Sequence, residues 1–374
     1  MFGYRVFFYG GAVIHIVHVE TGRHLYGGAR QVLMLMHGLI ARGHRCTLVC
    51  PDDSEISTAA RTTGVAVQGV AMGGDLDINF TWRLARLLRQ LQPDIVHVHS
   101  RRGADTFGGV AACLGRVPAV LSRRIDRDDL AGLGRLKYAP YQRIIAISSC
   151  IRDQLAALGV PAAKLRLVRS AVAPVIDIER ASGREFSDEF GLSAEAFPIA
   201  VVAQLIVRKG HRFFLEAVAQ LRDTHPEIRA ILFGIGPLQA ELAARVTELG
   251  LSEQVQFAGY RHDLARFIGR FELLVHPAER EGLGVGVLEA QAAGVPVIGF
   301  RAGGLAEAIA DGETGLLVSP GNVPALTAAM RQLIEDDSLR RQFAAAGPAR
   351  IHNDYRVEVM VDGNLAVYGE LISE

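Results

Sequence analysis

The chain has 374 residues, 49% hydrophobic and 21% charged, with 40 glycines and 14 prolines, a globular composition that excludes disordered and fibrous classes. One packed core rarely grows past about 250–300 residues, so two domains are expected. The 40 basic and 40 acidic side chains cancel, which argues against a dedicated nucleic-acid binder, yet they are unevenly spread. Met1–Arg180 holds 23 basic against 14 acidic residues (+9), and Ala181–Glu374 holds 17 against 26 (−9). The split fits two domains with different partners, one of them anionic; drift in surface charge fits it as well.

Cys46, Cys50, Cys113 and Cys150 contain no C-x-x-C pair and read as free thiols of a reducing compartment. The apolar stretch Val6–Val19 is broken by Gly10, Gly11, His15 and His18, too short and interrupted to span a bilayer. A soluble cytoplasmic protein, at most peripheral on a membrane, is expected.

Short β-branched runs alternate with amphipathic stretches along the chain. Strands are expected at Ile14–Val19, Thr47–Cys50, Ile95–His99, Ala119–Leu121 and Ile144–Ile147, with helices at Ala29–Ala41, Trp82–Leu91 and Ile151–Leu158. The polar segment Ala173–Phe197 has no clear period and reads as a linker. The second half gives strands at Ile199–Leu205, Ala230–Phe233, Val255–Phe257, Leu273–His276 and Val297–Phe300. Its helices are expected at Phe213–Leu221, Gln239–Leu249, Val285–Ala293 and Leu326–Ile334. This pattern predicts an α/β chain of two doubly wound, Rossmann-like parallel-sheet domains facing across a cleft, with ligands at the carboxyl ends of the strands.

Four segments carry candidate chemistry. In Pro277–Pro296 a strand end is followed by Gly282, Gly284 and Gly286 and then a helix, a setting whose free amides suit a phosphate or diphosphate. Glu281 and Glu289, about two turns apart, suit sugar and ribose hydroxyls; the alternative is a solvated loop and helix. Lys209 is one of three lysines against 37 arginines and stands beside Gly210 at a strand end, which suggests an ammonium positioned for a phosphate; a surface loop charge is the alternative. Gly27-Gly28-Ala29 opens the first helix and is ordinary turn chemistry by itself. His97 and His99 share a strand face, but the sequence offers no clustered third ligand, so metal is rejected and one histidine at the strand end is preferred. Asp75-Leu-Asp77 reads as a turn. Arg83, Arg86 and Arg89, with Trp82 near the helix start, form either a solvated face or a contact for an anionic surface.

These segments, in this order, resemble the retaining family 4 glycosyltransferases of the GT-B fold (glycosyl transferases group 1), over nearly the whole chain. Gly234-x-Gly236-Pro237, Gly303-Gly304-Leu-Ala-Glu307 and Asp311-Gly-x-x-Gly-Leu-Leu-Val318 fit the same pattern. The resemblance implies an acceptor-binding domain at 1–175, a nucleotide-sugar domain at 176–352, and a last helix at 353–374 that crosses back. It also implies a donor site of Gly28, Gln204, Arg208, Lys209, Gly236, Tyr260, Glu281, Gly282, Leu283, Gly284 and Glu289. His99, Lys209 and Glu281 would lie nearest the chemistry. Glu289 would hold the ribose, Glu281 the sugar hydroxyls, Lys209 and the Gly282–Gly284 amides the diphosphate, and Gly259-Tyr260 the base.

Arg101 and Arg124 are candidate acceptor contacts. The expected reaction is transfer from a nucleotide sugar, UDP-sugar foremost, to an envelope glycan or lipid-linked acceptor, with no metal and no other cofactor. Two departures stand out: Gln204 replaces the usual arginine, and Val168-Arg-Ser-Ala-Val172 replaces Pro-Asn-Gly. A GT-B sugar-nucleotide epimerase, or a hinged binding protein without catalysis, are the alternatives.

Overall fold

The structure is a computed structural model and describes residues 13–99, 103–126, 134–173 and 179–372. The chain divides into two compact units. One runs up to Ser170 and takes back the segment from Val357; the other is Ala171–Arg356.

The first unit is built on a seven-stranded parallel sheet of β1 (His15–Val19), β2 (Arg45–Cys50), β3 (Ala66–Gly69), β4 (Ile95–His99), β5 (Ala119–Arg123), β6 (Arg143–Ala146) and β7 (Leu165–Leu167), in the order β3-β2-β1-β4-β5-β6-β7. Strands β1, β4 and β5 are buried at every residue, as helices on both faces require, so His15 and His18 of β1, His97 and His99 of β4, and Ser122 and Arg123 of β5 are buried together with their apolar neighbours. The helix Gly27–Ala41 packs against the C-terminal helix Val357–Ile372. A Cβ on Gly38 would fall 2.4 Å from Val361 Cγ2, so glycine permits that approach. Arg143 and Arg166 both bond Glu370, fixing the C-terminal helix to β6 and β7.

The second unit holds a six-stranded parallel sheet of β8 (Phe197–Val202), β9 (Ile228–Phe233), β10 (Val255–Gly259), β11 (Leu273–His276), β12 (Val297–Phe300) and β13 (Gly315–Val318), in the order β10-β9-β8-β11-β12-β13. In each sheet the order reverses beside the first strand, at β1/β4 and at β8/β11. The carboxyl ends there are where open α/β sheets bind ligands.

All ten expected strands are present, some shifted by a few residues. The three that were missed, β3, β7 and β13, are short strands at sheet edges, where burial no longer forces an apolar run. The linker reading of Ala173–Phe197 is corrected. Gly183–Phe190 is a helix opened by a reciprocal Ser182/Glu185 capping box, and β8 starts at Phe197. Phe186 and Phe190 pack edge-on against Phe271, Phe267 and Phe233 and anchor the helix to the second unit. The backbone N–H of Val172 donates to Tyr355 O at 2.8 Å, so the segments leading into and out of the second unit run side by side. The Asp75–Asp77 segment is a turn as read: Asp77 caps the helix Ile78–Leu91, accepting from the Phe80 N–H.

Candidate active site

In the second unit, the turn Val207–Lys209 after β8 meets the loop after β11. The Glu279 N–H donates to Arg208 O, and Arg208 Nη1 donates to Arg280 O. Gly210 is left-handed, at φ 70°, and a Cβ there would lie 1.8 Å from Pro277 O. Only glycine lets the two loops touch. Across this contact Lys209 forms an ion pair with Glu281, their side chains 10% and 13% exposed.

Glu281 also accepts from His276 Nε2 at 2.8 Å and from the Gly282 N–H at 3.1 Å. Burial alone would raise its carboxyl pKa, but the Lys209 charge and the bonds from His276 and Lys209 outweigh burial and hold the group far below the carboxylate range. Burial lowers His276, which donates through Nε2 as a neutral ring and leaves Nδ1 buried without a partner. His211, the first residue of the next helix, is likewise pushed down to about 4 by burial, and neither ring nitrogen has a partner.

Further loops close around this pair. A Cβ on Gly304 would fall 2.1 Å from Gly282 O, and the Gly304 N–H donates to Glu281 O. Gly236 approaches Leu205 O so closely that a Cβ would lie 2.4 Å away, and the Gly234 N–H donates to Gly259 O. The carboxyl ends of β8 to β12 therefore form one continuous set of loops that carries Gln204, Arg208, Lys209, Gly236, Tyr260, Glu281, Gly282, Leu283 and Gly284. Gln204 and Tyr260 are exposed, Leu283 is buried, and Glu289 is half-buried on the helix Val285–Ala292.

In the first unit, β1/β4 pairing sets His18 beside His97, and His99 follows two residues on along the same face. All three rings are fully buried. The expectation that no third ligand stands beside His97 and His99 is corrected: one nitrogen of each ring lies within 4.8 Å of the others. The signal was 79 residues away in sequence and becomes visible only once the register is known.

His18 Nδ1 lies 3.1 Å from His99 Nε2, His99 Nδ1 lies 3.3 Å from Arg124 Nη2, and His97 bonds Ser122 Oγ and the Tyr368 hydroxyl. Burial pushes His18 down to about 3 and puts His97 and His99 well below the imidazole range, so all three are neutral. Arg124 also donates to Ser170 Oγ at 3.4 Å, inside the segment that departs from Pro-Asn-Gly. Gly28 lies in the uncapped first turn of its helix, where a Cβ would be 3.9 Å from Arg124 Cδ. Arg101 lies outside the described residues.

Comparisons with known proteins bear on the family and the fold. Residues 26–174 match a family model described as Glycosyltransferase Family 4, and residues 184–350 one described as Glycosyl transferases group 1. The chain belongs to the family 4 glycosyltransferases, and its two parallel-sheet units have the GT-B fold. It is 32% identical over 172 residues to the lipopolysaccharide core biosynthesis glycosyltransferase LpsE of Rhizobium meliloti, covering 46% of this chain and 49% of that one. That match spans about half the relative's length. It is 24% identical over 329 residues to the 2-deoxystreptamine glucosyltransferase of Streptomyces kanamyceticus, covering 80% and 85% of the two chains. Among solved structures, a glycosyltransferase from Rickettsia africae superposes with TM-score 0.86 at 18% identity, covering 97% and 99%. Anabaena HepE in complex with UDP-glucose gives 0.82 at 20%, covering 96% and 99%.

Proposed function

We propose that this glycosyltransferase is a retaining enzyme that moves a sugar from UDP-sugar to a cell-envelope glycan or lipid-linked acceptor, without a metal ion. The observation that carries the reading is the buried Lys209–Glu281 pair at the β8/β11 switch point of the second sheet. A diphosphate arriving there would take over the Lys209 ammonium and release the Glu281 carboxylate to sugar hydroxyls. As the glycosidic bond breaks, negative charge collects on the leaving diphosphate oxygen. The ammonium and the amides of Gly282–Gly284 supply fixed opposing charge, so chemistry through a metal is not required. Glu289 would hold the ribose, Tyr260 would flank the base, and Gln204, Arg208 and Gly236 would line the phosphates.

The donor class draws support from HepE, whose solved complexes hold UDP and UDP-glucose, and the acceptor class from LpsE and LpsD of Rhizobium meliloti. His99 is fully buried, so contact with a sugar would require its neighbours to move.

Peripheral membrane attachment draws support from the helix Ile78–Leu91. Leu76, Ile78 and Trp82 are 86%, 65% and 60% exposed, and Arg83 and Arg86 follow on the exposed side. No helix among the described residues is long and apolar enough to cross a membrane.

The reading is tested by incubating UDP-, GDP- and ADP-sugars with lipopolysaccharide-core and lipid-linked acceptors in EDTA, then reading the new anomeric centre by NMR. An axial product from an axial donor supports it. An inverted linkage, or dependence on added magnesium, overturns the mechanism; an epimerised sugar released without acceptor overturns the function.

A further inference from the structure

His18, His97 and His99 bring three ring nitrogens within reach of one ion, and a three-imidazole metal centre is the first chemistry they suggest. The hydrogen-bond directions decide against it. A guanidinium has five donors and no acceptor. Arg124 Nη2 lies 3.3 Å from His99 Nδ1, so that nitrogen accepts and the neutral ring carries its proton on Nε2. His99 Nε2 lies 3.1 Å from His18 Nδ1, so it donates and His18 Nδ1 accepts. The His18 proton is then on Nε2, which is buried and unpartnered.

Arg124 sets the direction of these bonds because it is the one member of the network that can only donate. Burial brings its pKa down to about 10, which leaves it charged at neutral pH, and Glu20 beside it favours the charge. The Ser122 and Tyr368 hydroxyls at 2.8 and 2.6 Å from His97 can each donate or accept, so they fit either tautomer of that ring.

A metal ion on His99 Nε2 would need the proton on Nδ1, facing the Arg124 N–H. Metal-bound histidines normally turn that second N–H to a carboxylate, carbonyl or water. Here it would meet a donor, and the guanidinium charge would oppose the ion as well.

We infer that Arg124 is a positioning residue that fixes His99 and His18 as Nε2–H tautomers, joined in one directed Arg124–His99–His18 hydrogen-bond chain, and so keeps the three-histidine cluster from being a metal centre. The inference goes beyond the proposed transfer reaction and does not depend on which donor or acceptor is used. It also changes the role expected of Arg124, from an acceptor contact to a group acting through His99.

The test is long-range proton–nitrogen NMR on protein labelled with 15N-histidine, assigned through His18→Asn, His97→Asn and His99→Asn. The wild type and Arg124→Lys, which keeps a donor, are expected to show His99 and His18 protonated on Nε2. Arg124→Met is expected to lose the single tautomer at His99, and to bind one equivalent of Co(II) with a visible absorption band that the wild type lacks. Protonation of His99 on Nδ1 in the wild type would overturn the inference. So would one Co(II) bound by the wild type and lost in His18→Asn, or an unchanged tautomer in Arg124→Met. The wild-type spectrum decides by itself should Arg124→Met fail to fold.

Discussion

Lys209 and Glu281, 72 residues apart in sequence, face each other as a buried ion pair across two loops whose backbones touch at Gly210 and Pro277. The contact joins the carboxyl ends of the two strands beside which the second sheet reverses its order. A positive and a negative group are thereby held together at the place where such sheets take ligands.

Removing one partner strands the other. Lys209→Met leaves the Glu281 carboxylate buried with only His276 and the Gly282 N–H, and a cost of about 3–5 kcal/mol is expected from breaking a buried pair. Lys209→Met/Glu281→Gln is expected to recover most of that stability, since no lone charge stays buried, while transfer activity stays lost. Denaturant melts of the wild type, the single and the double variant check the first statement and turnover checks the second. A single variant as stable as the wild type would show that the pair is solvated.

The buried histidines give the protein an acid-sensitive stability. Folding lowers His18 from 6.5 to about 3 and His211 to about 4, and lowers His97, His99 and His276. Between the unfolded value and the lowered folded one, the unfolded chain binds protons that the folded chain does not. Stability is therefore complete above about pH 6.5 and falls as the pH drops below it, by about 1.4 kcal/mol per pH unit for each histidine. Glu281, held below its usual range, acts in the same direction at still lower pH. Melting curves from pH 8 to 4.5 are expected to show the fall begin near 6.5, with a shallower slope in His18→Gln. A flat profile down to pH 5 would contradict the burial of these rings.

Gly210→Ala is expected to destabilise the second unit and to abolish donor binding. The left-handed backbone alone costs an alanine roughly 1–2 kcal/mol, and the Pro277 carbonyl leaves no room for its Cβ. Gly43→Ala, also left-handed but with open space around it, is the control and should show the backbone cost alone. Equal losses in the two variants would mean that the close contact with Pro277 contributes nothing.

Most of the fold was legible because interior parallel strands are covered on both faces and read as mainly apolar runs, and nine of the ten expected strands are interior; the tenth, Val255–Phe257, lies at an edge. Two other edge strands were not legible, because Ala66–Gly69 and Leu165–Leu167 are short and partly exposed. The helix Gly183–Phe190 hid in a polar stretch whose only signals were Ser182, Glu185 and two phenylalanines four apart. In the site, glycines and a rare lysine at strand ends marked the loops of the second unit. His18 could not be paired with His97 from spacing, since lateral neighbours in a sheet depend on register. The fixed direction of the Arg124 bond was equally invisible, because Arg124 and His99 sit on different strands' ends.

The exposed edge of the helix Ile78–Leu91 gives a separate expectation. Trp82→Ser combined with Arg86→Glu should abolish co-sedimentation with anionic vesicles at low salt while leaving turnover on a soluble acceptor unchanged, since neither side chain is buried in the fold. Wild-type protein that fails to sediment with such vesicles would contradict the membrane assignment of this edge.

Calorimetric titration of UDP, in EDTA, into the wild type and Lys209→Met/Glu281→Gln decides whether the buried pair is a metal-free diphosphate site. Saturable one-site binding to the wild type is expected, undiminished by the chelator and at least tenfold weaker in the double variant. Equal binding by both proteins, or binding that appears only when magnesium is restored, would contradict that assignment.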